Sequence, residues 1–283
     1  MMRSWLFVPG NRPAMMEKAA RAGADAIILD LEDSVSPQKK GEARKAVAGA
    51  LATLHRASKV WVRVNPVTSD HCEDDVAIAL AGGADGLVLP KSESGDTVRQ
   101  LMRIAGTGCP PVLAIATETA GSLFGLGDYG GLEETLYGMA WGAEDLSADL
   151  GSTATRDETG ALTGPFALAR NLMLAGAARA GCQPIDTMWT ATRDLERLEV
   201  ECNAARRDGF TGKMAIHPNQ VPVINHLFLP TAEEIALAER ITAELEKTPD
   251  AGTVSIDGQM IDMPHLKRAA RVLALAKQYG CST

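Results

Sequence analysis

Eight short apolar runs punctuate the chain up to Pro218, and each closes on polar residues or on Gly and Pro. They are "WLFVPG", "DAIILDLED", "VWVRVNP", "DGLVLPK", "PVLAIATET", "LYGMAWGAED", "PIDTMWT" and "KMAIHP". Between them lie stretches with helical spacing, among them "PAMMEKAARAGA" and "EARKAVAGALATL". Apolar runs this short and continuous suit strands of a parallel sheet that is covered on both faces. Twice a helix gives way to a strand through Gly-Ala-Asp, in "AGADAIIL" and "GGADGLVL". Glycine there supplies the left-handed residue that closes a helix. Strand and helix in alternation make an α/β protein, and eight such units predict a (β/α)8 TIM barrel. The rival is an open doubly wound sheet. Such a sheet ordinarily begins with a Gly-rich phosphate loop, and "VPGNRP" is not one.

After Pro218 the pattern changes. "TAEEIALAERITAELEKT" reads as a helix capped by Thr231, with acids in its first turn. "GTVSIDGQMIDMPHLKRAARVLALAKQYG" reads as a short hairpin or loop followed by a helix. A barrel with eight strands does not need this tail for closure. The expected division is a catalytic barrel over residues 1–220 and a C-terminal helical extension over 221–283. The extension is expected to cap the barrel or a neighbouring subunit.

Bulk properties narrow the function. The net charge of −8, from 28 Lys and Arg against 36 Asp and Glu, argues against a nucleic-acid partner, which calls for a basic face. It does not exclude an anionic small substrate, because a pocket can be locally basic. Aromatics make up 4% of the chain, so the core is expected to be mostly aliphatic. The five cysteines share no metal-ligand spacing and read as reduced cytosolic thiols. The apolar run before Pro9 is too short for a signal peptide. No stretch approaches the roughly 18 apolar residues of a membrane span. These features predict a cytoplasmic protein with no membrane partner.

In a barrel of this kind the functional groups sit at the C-terminal ends of the strands. The residues closing the runs therefore belong together. They are Arg3, Phe7 and Arg12; Asp30, Glu32 and Asp33; Arg63 and Asn65; Lys91; Glu118; Glu144 and Asp145; Asp186; and His217. Several acids and several bases thus meet at one rim. Hard divalent cations prefer carboxylate oxygen, and Mg²⁺ commonly takes one or two protein carboxylates along with substrate and water. Glu118 and Asp145 end neighbouring runs, which brings two carboxylates to one ion; the alternative leaves each as an ordinary polar strand end. Arg63 lies in a segment too apolar for an unpaired charge. Its partner is Glu32, Asp33, or a substrate carboxylate held bidentately. Lys91 is open between structural pairing and substrate contact. His217 has no second His at metal-ligand spacing and reads as a pocket-wall residue. Gly-x-Ser-x-Gly is absent and no Cys closes a strand, which argues against Ser or Cys nucleophilic catalysis.

The motifs "RSWLFVPGNRP", "DAIILDLEDSV", "VRVN", "LPK", "ETAG", "GAEDL", "GKMAIHPNQ" and "DGQMIDMPH" occur in this order from Arg3 to the last helix. Together they resemble the citrate lyase β-subunit-like branch of the HpcH/HpaI aldolase superfamily. The resemblance implies a TIM barrel, Mg²⁺, and carbon–carbon lyase chemistry on acyl thioesters. It implies Glu118 and Asp145 as metal ligands and Arg63 as the residue holding the substrate's carboxylate or carbonyl end. It places Phe7, Arg12 and Lys18 at the coenzyme A portion, and Glu144, Ile216 and His217 around the thioester. Asp262 resembles an acid that relatives place over a neighbouring subunit's barrel mouth, and a homotrimer follows. Arg63, Asp262 and Glu32 are the candidate catalytic residues.

The implied reaction is cleavage of a citramalyl-, malyl- or citryl-CoA type thioester to a keto acid and an acyl-CoA such as acetyl-CoA. Three alternatives stand beside it: a malyl-CoA thioesterase, a CoA-independent class II pyruvate aldolase, and a citrate lyase complex subunit acting on an acyl-carrier protein. The loop "VTSDHCEDD" departs from the relatives, many of which carry an aromatic residue there.

Overall fold

The computed structural model describes residues 1–54, 57–247 and 252–281. The eight runs form eight parallel strands of a closed barrel in the order of the sequence. They are β1 (Ser4–Pro9), β2 (Ala26–Asp30), β3 (Lys59–Arg63), β4 (Gly86–Leu89), β5 (Val112–Ile115), β6 (Leu136–Ala140), β7 (Gln183–Asp186) and β8 (Gly212–Ala215). The ring closes where β1 pairs with β8, Trp5 opposite Met214. Every residue of β2, β4 and β5 is buried, as continuous apolar runs require in a sheet covered on both sides. Helices alternate with the strands: α1 (Pro13–Ala19), α2 (Lys40–Thr53), α3 (Cys72–Ala81), α4 (Gly95–Ala105), α5 (Ser122–Gly125), α6 (Ala143–Leu150), α7 (Gly164–Ala180), α8 (Leu195–Asp208) and α9 (Gln220–Leu227). Gly23 and Gly83, at φ +74° and +64°, make the left-handed turns before β2 and β4 that the Gly-Ala-Asp punctuation predicted.

The core is mostly aliphatic, as expected, with one aromatic cluster inside the barrel. Trp5, Trp61 and Tyr137 meet edge-to-face there, with ring centroids 5.0, 5.3 and 5.8 Å apart. Aliphatic side chains from β2, β4, β5, β7 and β8 pack around them, including Ile28, Val88, Leu113, Ile185 and Met214. Gly86 makes room for this cluster, because a Cβ at that position would lie 2.3 Å from the Trp61 ring. Edge-to-face packing of these three rings adds to plain burial.

The chain divides into two compact units. One spans Met2–Asn225 and holds the barrel; the other contains Met1 and the chain from His226 onward. In the second unit, α10 (Ala232–Lys247) begins with a capping box. The Thr231 hydroxyl accepts from the Glu234 N–H at 3.2 Å, and a Glu234 oxygen accepts from the Thr231 N–H at 2.8 Å. The strands β9 (Thr253–Ile256) and β10 (Gln259–Asp262) form the hairpin, turned by Asp257 and Gly258 at φ +54° and +79°. The final helix is α11 (Met263–Tyr279). Ala238, Ile241, Ile256, Ile261 and Ala269 join α10, the hairpin and α11 into a separate small core.

Candidate active site

The site grows from the register of two strands. In β2 and β3, Asp30 lies directly opposite Arg63 at the C-terminal edge of the barrel. The Arg63 guanidinium donates to both Asp30 oxygens, at 2.6 and 2.7 Å, and its third nitrogen lies 2.9 Å from Glu32 Oε2. The Phe7 ring lies beneath it, with the guanidinium carbon 4.9 Å from the centroid. Burial alone would raise the Asp30 pKa, but the charge and hydrogen bonds of Arg63 hold it below the usual carboxylate value. Burial likewise works against the Arg63 charge, and Asp30 and Glu32 more than compensate. Of the partners open to Arg63 in the sequence, Glu32 is realised. Asp33 is not, and Asp30 takes the bidentate place.

Lys91 organises the opposite side. Its ammonium lies 2.7 Å from Glu32 Oε1, 3.0 Å from Asp145 Oδ1 and 3.7 Å from Asp33 Oδ2. Its backbone N–H donates to Glu118 Oε2 at 2.6 Å. Glu118 is 4% exposed. Burial, followed by the like charges of Glu32 and Asp145, pushes its pKa up to about 8 even though the Lys91 N–H and Arg63 oppose the rise. Gly142 leaves the space that Glu118 fills, since a Cβ there would come within 2.8 Å of its Cγ. Glu118, Asp145, Glu144, Arg63 and Phe7 line a cavity of about 200 Å³ together with Asp33, Trp141 and Met214.

The remaining sequence candidates scatter. Arg12 and Lys18 are exposed, at the start and in the last turn of α1. Ile216 is half-buried and donates its N–H to Gln220 Oε1 at 2.9 Å. His217 is exposed, with Nδ1 2.6 Å from Asn219 Oδ1. Asp262 belongs to the second unit, ends β10, and lies with Oδ1 2.5 Å from His265 Nδ1. Asp186, read from the sequence as a rim residue, is buried inside the barrel wall. It binds the Lys213 ammonium at 2.6 Å and the Trp141 indole N–H at 2.7 Å, a structural pairing.

One group escaped the sequence reading. Buried Lys40 donates to the Leu31 and Glu32 carbonyls and to Asn65 Oδ1, at 2.7 to 2.8 Å. Asn65 in turn donates to Asp75. These bonds fix the loop that carries Glu32. A lysine in an ordinary helical segment carried no signal of this.

The HpcH/HpaI aldolase/citrate lyase family matches residues 3–218. The chain belongs to this family. A carbon–carbon bond lyase family of the TIM-barrel fold also matches residues 161–281. Among family relatives, the citrate lyase subunit beta of Leuconostoc mesenteroides subsp. cremoris is 33% identical, over 97% of this chain and 93% of its own length. The (3S)-malyl-CoA thioesterase of Cereibacter sphaeroides is also 33% identical, over 97% of this chain and 94% of its own. A solved structure of CitE from Mycobacterium tuberculosis, in complex with magnesium, acetoacetate and coenzyme A, superposes with a TM-score of 0.82. It shares 32% identity with this chain and covers 98% of both chains.

Proposed function

We propose that this protein cleaves a 3-hydroxy-carboxyacyl thioester of coenzyme A, of the citramalyl, malyl or citryl type, to a keto acid and an acyl-CoA such as acetyl-CoA. It is a metal-dependent carbon–carbon lyase, and its cofactor is Mg²⁺. The observation that carries the substrate reading is the convergence of Glu118, Asp145 and Arg63 on one cavity at the strand ends.

The residues fit a hard divalent cation. Glu118 is a buried carboxylate whose charge nearby acids disfavour, so a cation beside it relieves both burdens. Asp145 already holds a cation, the Lys91 ammonium. Mg²⁺ commonly takes one or two protein carboxylates and keeps its other positions for substrate and water. Glu118 and Asp145 would hold the ion. When bound, it supplies Lewis-acid stabilisation of negative charge on the substrate's oxygens.

The chain's own groups then divide the work. Cleavage removes the proton of the substrate hydroxyl and breaks the adjacent carbon–carbon bond. The bond's electron pair passes to the thioester fragment as an enolate, which takes a proton at carbon. Arg63 offers its remaining N–H groups to the substrate's carboxylate or new carbonyl while Asp30 holds the fork in place. Glu32 acts through Arg63 and Lys91, as a positioning residue. Asp262 carries the proton, from a neighbouring subunit of a homotrimer. Phe7 covers the apolar side of the cavity, and Arg12 and Lys18 meet the phosphates of coenzyme A. Glu144, Ile216 and His217 border the thioester.

A thioesterase reading stands second, favoured by the thioesterase relative. An acyl-carrier substrate is the third arm, favoured by the citrate lyase subunit relatives. The test incubates the purified chain and Mg²⁺ with citramalyl-, malyl- and citryl-CoA, and with a citryl-carrier protein. Keto acid and free thiol are followed separately. Keto acid without free CoA supports the lyase. Free CoA without keto acid overturns it in favour of hydrolysis, and turnover of the carrier alone overturns the CoA assignment.

A further inference from the structure

Lys91 stands out by conformation as well as by contacts. Among the described residues, it and Asp257 are the non-glycine positions with positive φ, and Lys91 sits at +49°. Side chains adopt that region at a cost, and such strain persists where surroundings over-determine it. The surroundings here are four acids. The backbone N–H is spent on Glu118, and the ammonium lies between Glu32 and Asp145 with Asp33 behind. One residue thus touches both carboxylates assigned to the metal, through two different groups. The acids in this cluster outnumber their cations: Asp30, Glu32, Asp33, Glu118 and Asp145 face Arg63 and Lys91, with Lys40 behind the loop.

We propose that the Lys91 ammonium is the internal counter-ion of the metal-free site. It holds the acids together before metal binds, and metal binding draws Asp145 away from it. This rests on the reading of Glu118 and Asp145 as the ligands. Two effects of Lys91 oppose each other. Its backbone N–H fixes Glu118 and favours the ion; its charge competes with the ion for Asp145. The first survives any substitution that keeps the backbone in place, so removing the side chain exposes the second. Glycine adopts positive φ freely, and Lys91→Gly therefore takes away the charge without disturbing the N–H.

The experiment titrates Mn²⁺ and Mg²⁺ calorimetrically into the whole chain, cleared of metal with chelator. It uses the wild type, Lys91→Gly and Lys91→Arg. A unit charge a few ångströms from an ion weakens its binding substantially even at an effective dielectric constant of about 20, and partial exposure of the pair trims the effect. Lys91→Gly is expected to bind Mn²⁺ about tenfold more tightly than the wild type, and Lys91→Arg, which keeps the charge, within about threefold of it. Unchanged or weaker binding by Lys91→Gly overturns the proposal. If that variant fails to show a cooperative melt in chelator, Lys91→Met is judged by the same criterion. Glu118→Gln and Asp145→Asn are titrated alongside. Wild-type affinity in both removes the ligand reading and this inference with it. Loss of binding in both, with Lys91→Gly at wild-type affinity, removes this inference alone.

Discussion

Replacing Arg63 by Lys separates what the guanidinium does for the fold from what it does for the substrate. The positive charge remains and the fork is lost. In the wild type the fork makes two contacts to Asp30, at 2.6 and 2.7 Å, and a third to Glu32 at 2.9 Å, over the Phe7 ring. A hydrogen bond to a charged group is worth about 1.5–3 kcal/mol, and breaking a buried pair outright costs about 3–5 kcal/mol. Lysine keeps the charge and reaches one or two of the three contacts, so the expected loss is about 3 kcal/mol. For a domain of this size about 2–4 °C of melting temperature goes with each kcal/mol, which gives a drop of roughly 10 °C. Turnover should fall further than this instability accounts for, by about 10²–10³, because a donor aimed at developing charge is lost. The assay measures thermal unfolding in chelator and keto-acid formation at a temperature well below the variant's midpoint. A melting temperature unchanged from wild type refutes the reasoning about the buried pair. Near-wild-type turnover in a variant that is folded at the assay temperature refutes the role on substrate.

Glu118→Gln should lower Mg²⁺ affinity at least about tenfold, a change of about 1.4 kcal/mol. It should leave the fold intact, because the amide oxygen still accepts the Lys91 N–H; calorimetry and melting in chelator check both halves. Asp186→Asn should cost about 3–5 kcal/mol at neutral pH, since it leaves the buried Lys213 ammonium without its anion. Burial would raise the Asp186 pKa, but the charges of Lys213 and Arg170 hold it below the usual carboxylate value. A depressed carboxylate stabilises the fold above its unfolded pKa and loses that contribution as pH falls through the folded one. Urea titrations should therefore show the wild type and Asp186→Asn converging as pH drops below about 4. Arg12→Ala and Lys18→Ala should each weaken coenzyme A binding in calorimetric titration. Mixed oligomers of Asp262→Ala and Glu118→Ala, formed after dissociation and verified by mass, should regain part of the activity that each variant lacks alone.

The barrel was legible because its signal repeats. One apolar run of four or five residues is ambiguous between strand and buried helix, but eight of them at the spacing of strand-helix units leave one architecture. The site was legible in its membership and less so in its pairings. Asp30 ends β2, and Glu32 and Asp33 lie in the turn that follows it, so strand alternation does not decide which of them reaches Arg63. The register that puts Asp30 opposite Arg63 could not be read either, since it depends on the neighbouring strand. Asp186 was misplaced for a related reason. It closes its run as the rim acids do, but its partner Lys213 lies on the adjacent β8, where Lys in "GKMAI" was the unread sign of a buried pair.

These two buried pairs have opposite consequences for function. Asp186 and Lys213 neutralise one another inside the wall, with Trp141 and Arg170 completing their hydrogen bonds. Nothing there calls for a further ion. At the mouth, Arg63 pairs with both Asp30 oxygens, which also accept the Glu32 and Ser34 N–H groups, and it shares Glu32 with Lys91. Among the described residues no donor is aligned for a hydrogen bond to Glu32 Oε2, although Arg63 lies 2.9 Å away. Glu118 accepts the Lys91 backbone N–H and, among the described residues, forms no ion pair; Arg63 acts on it only through its charge. Burying carboxylates without matching cations is costly. A fold that needed only stability would have replaced Glu118 with an apolar residue in the space that Gly142 leaves. At the strand ends, beside the cavity, the clustered acids outnumber the cations that face them. That imbalance distinguishes the acids available to a divalent ion from the acid that serves the wall.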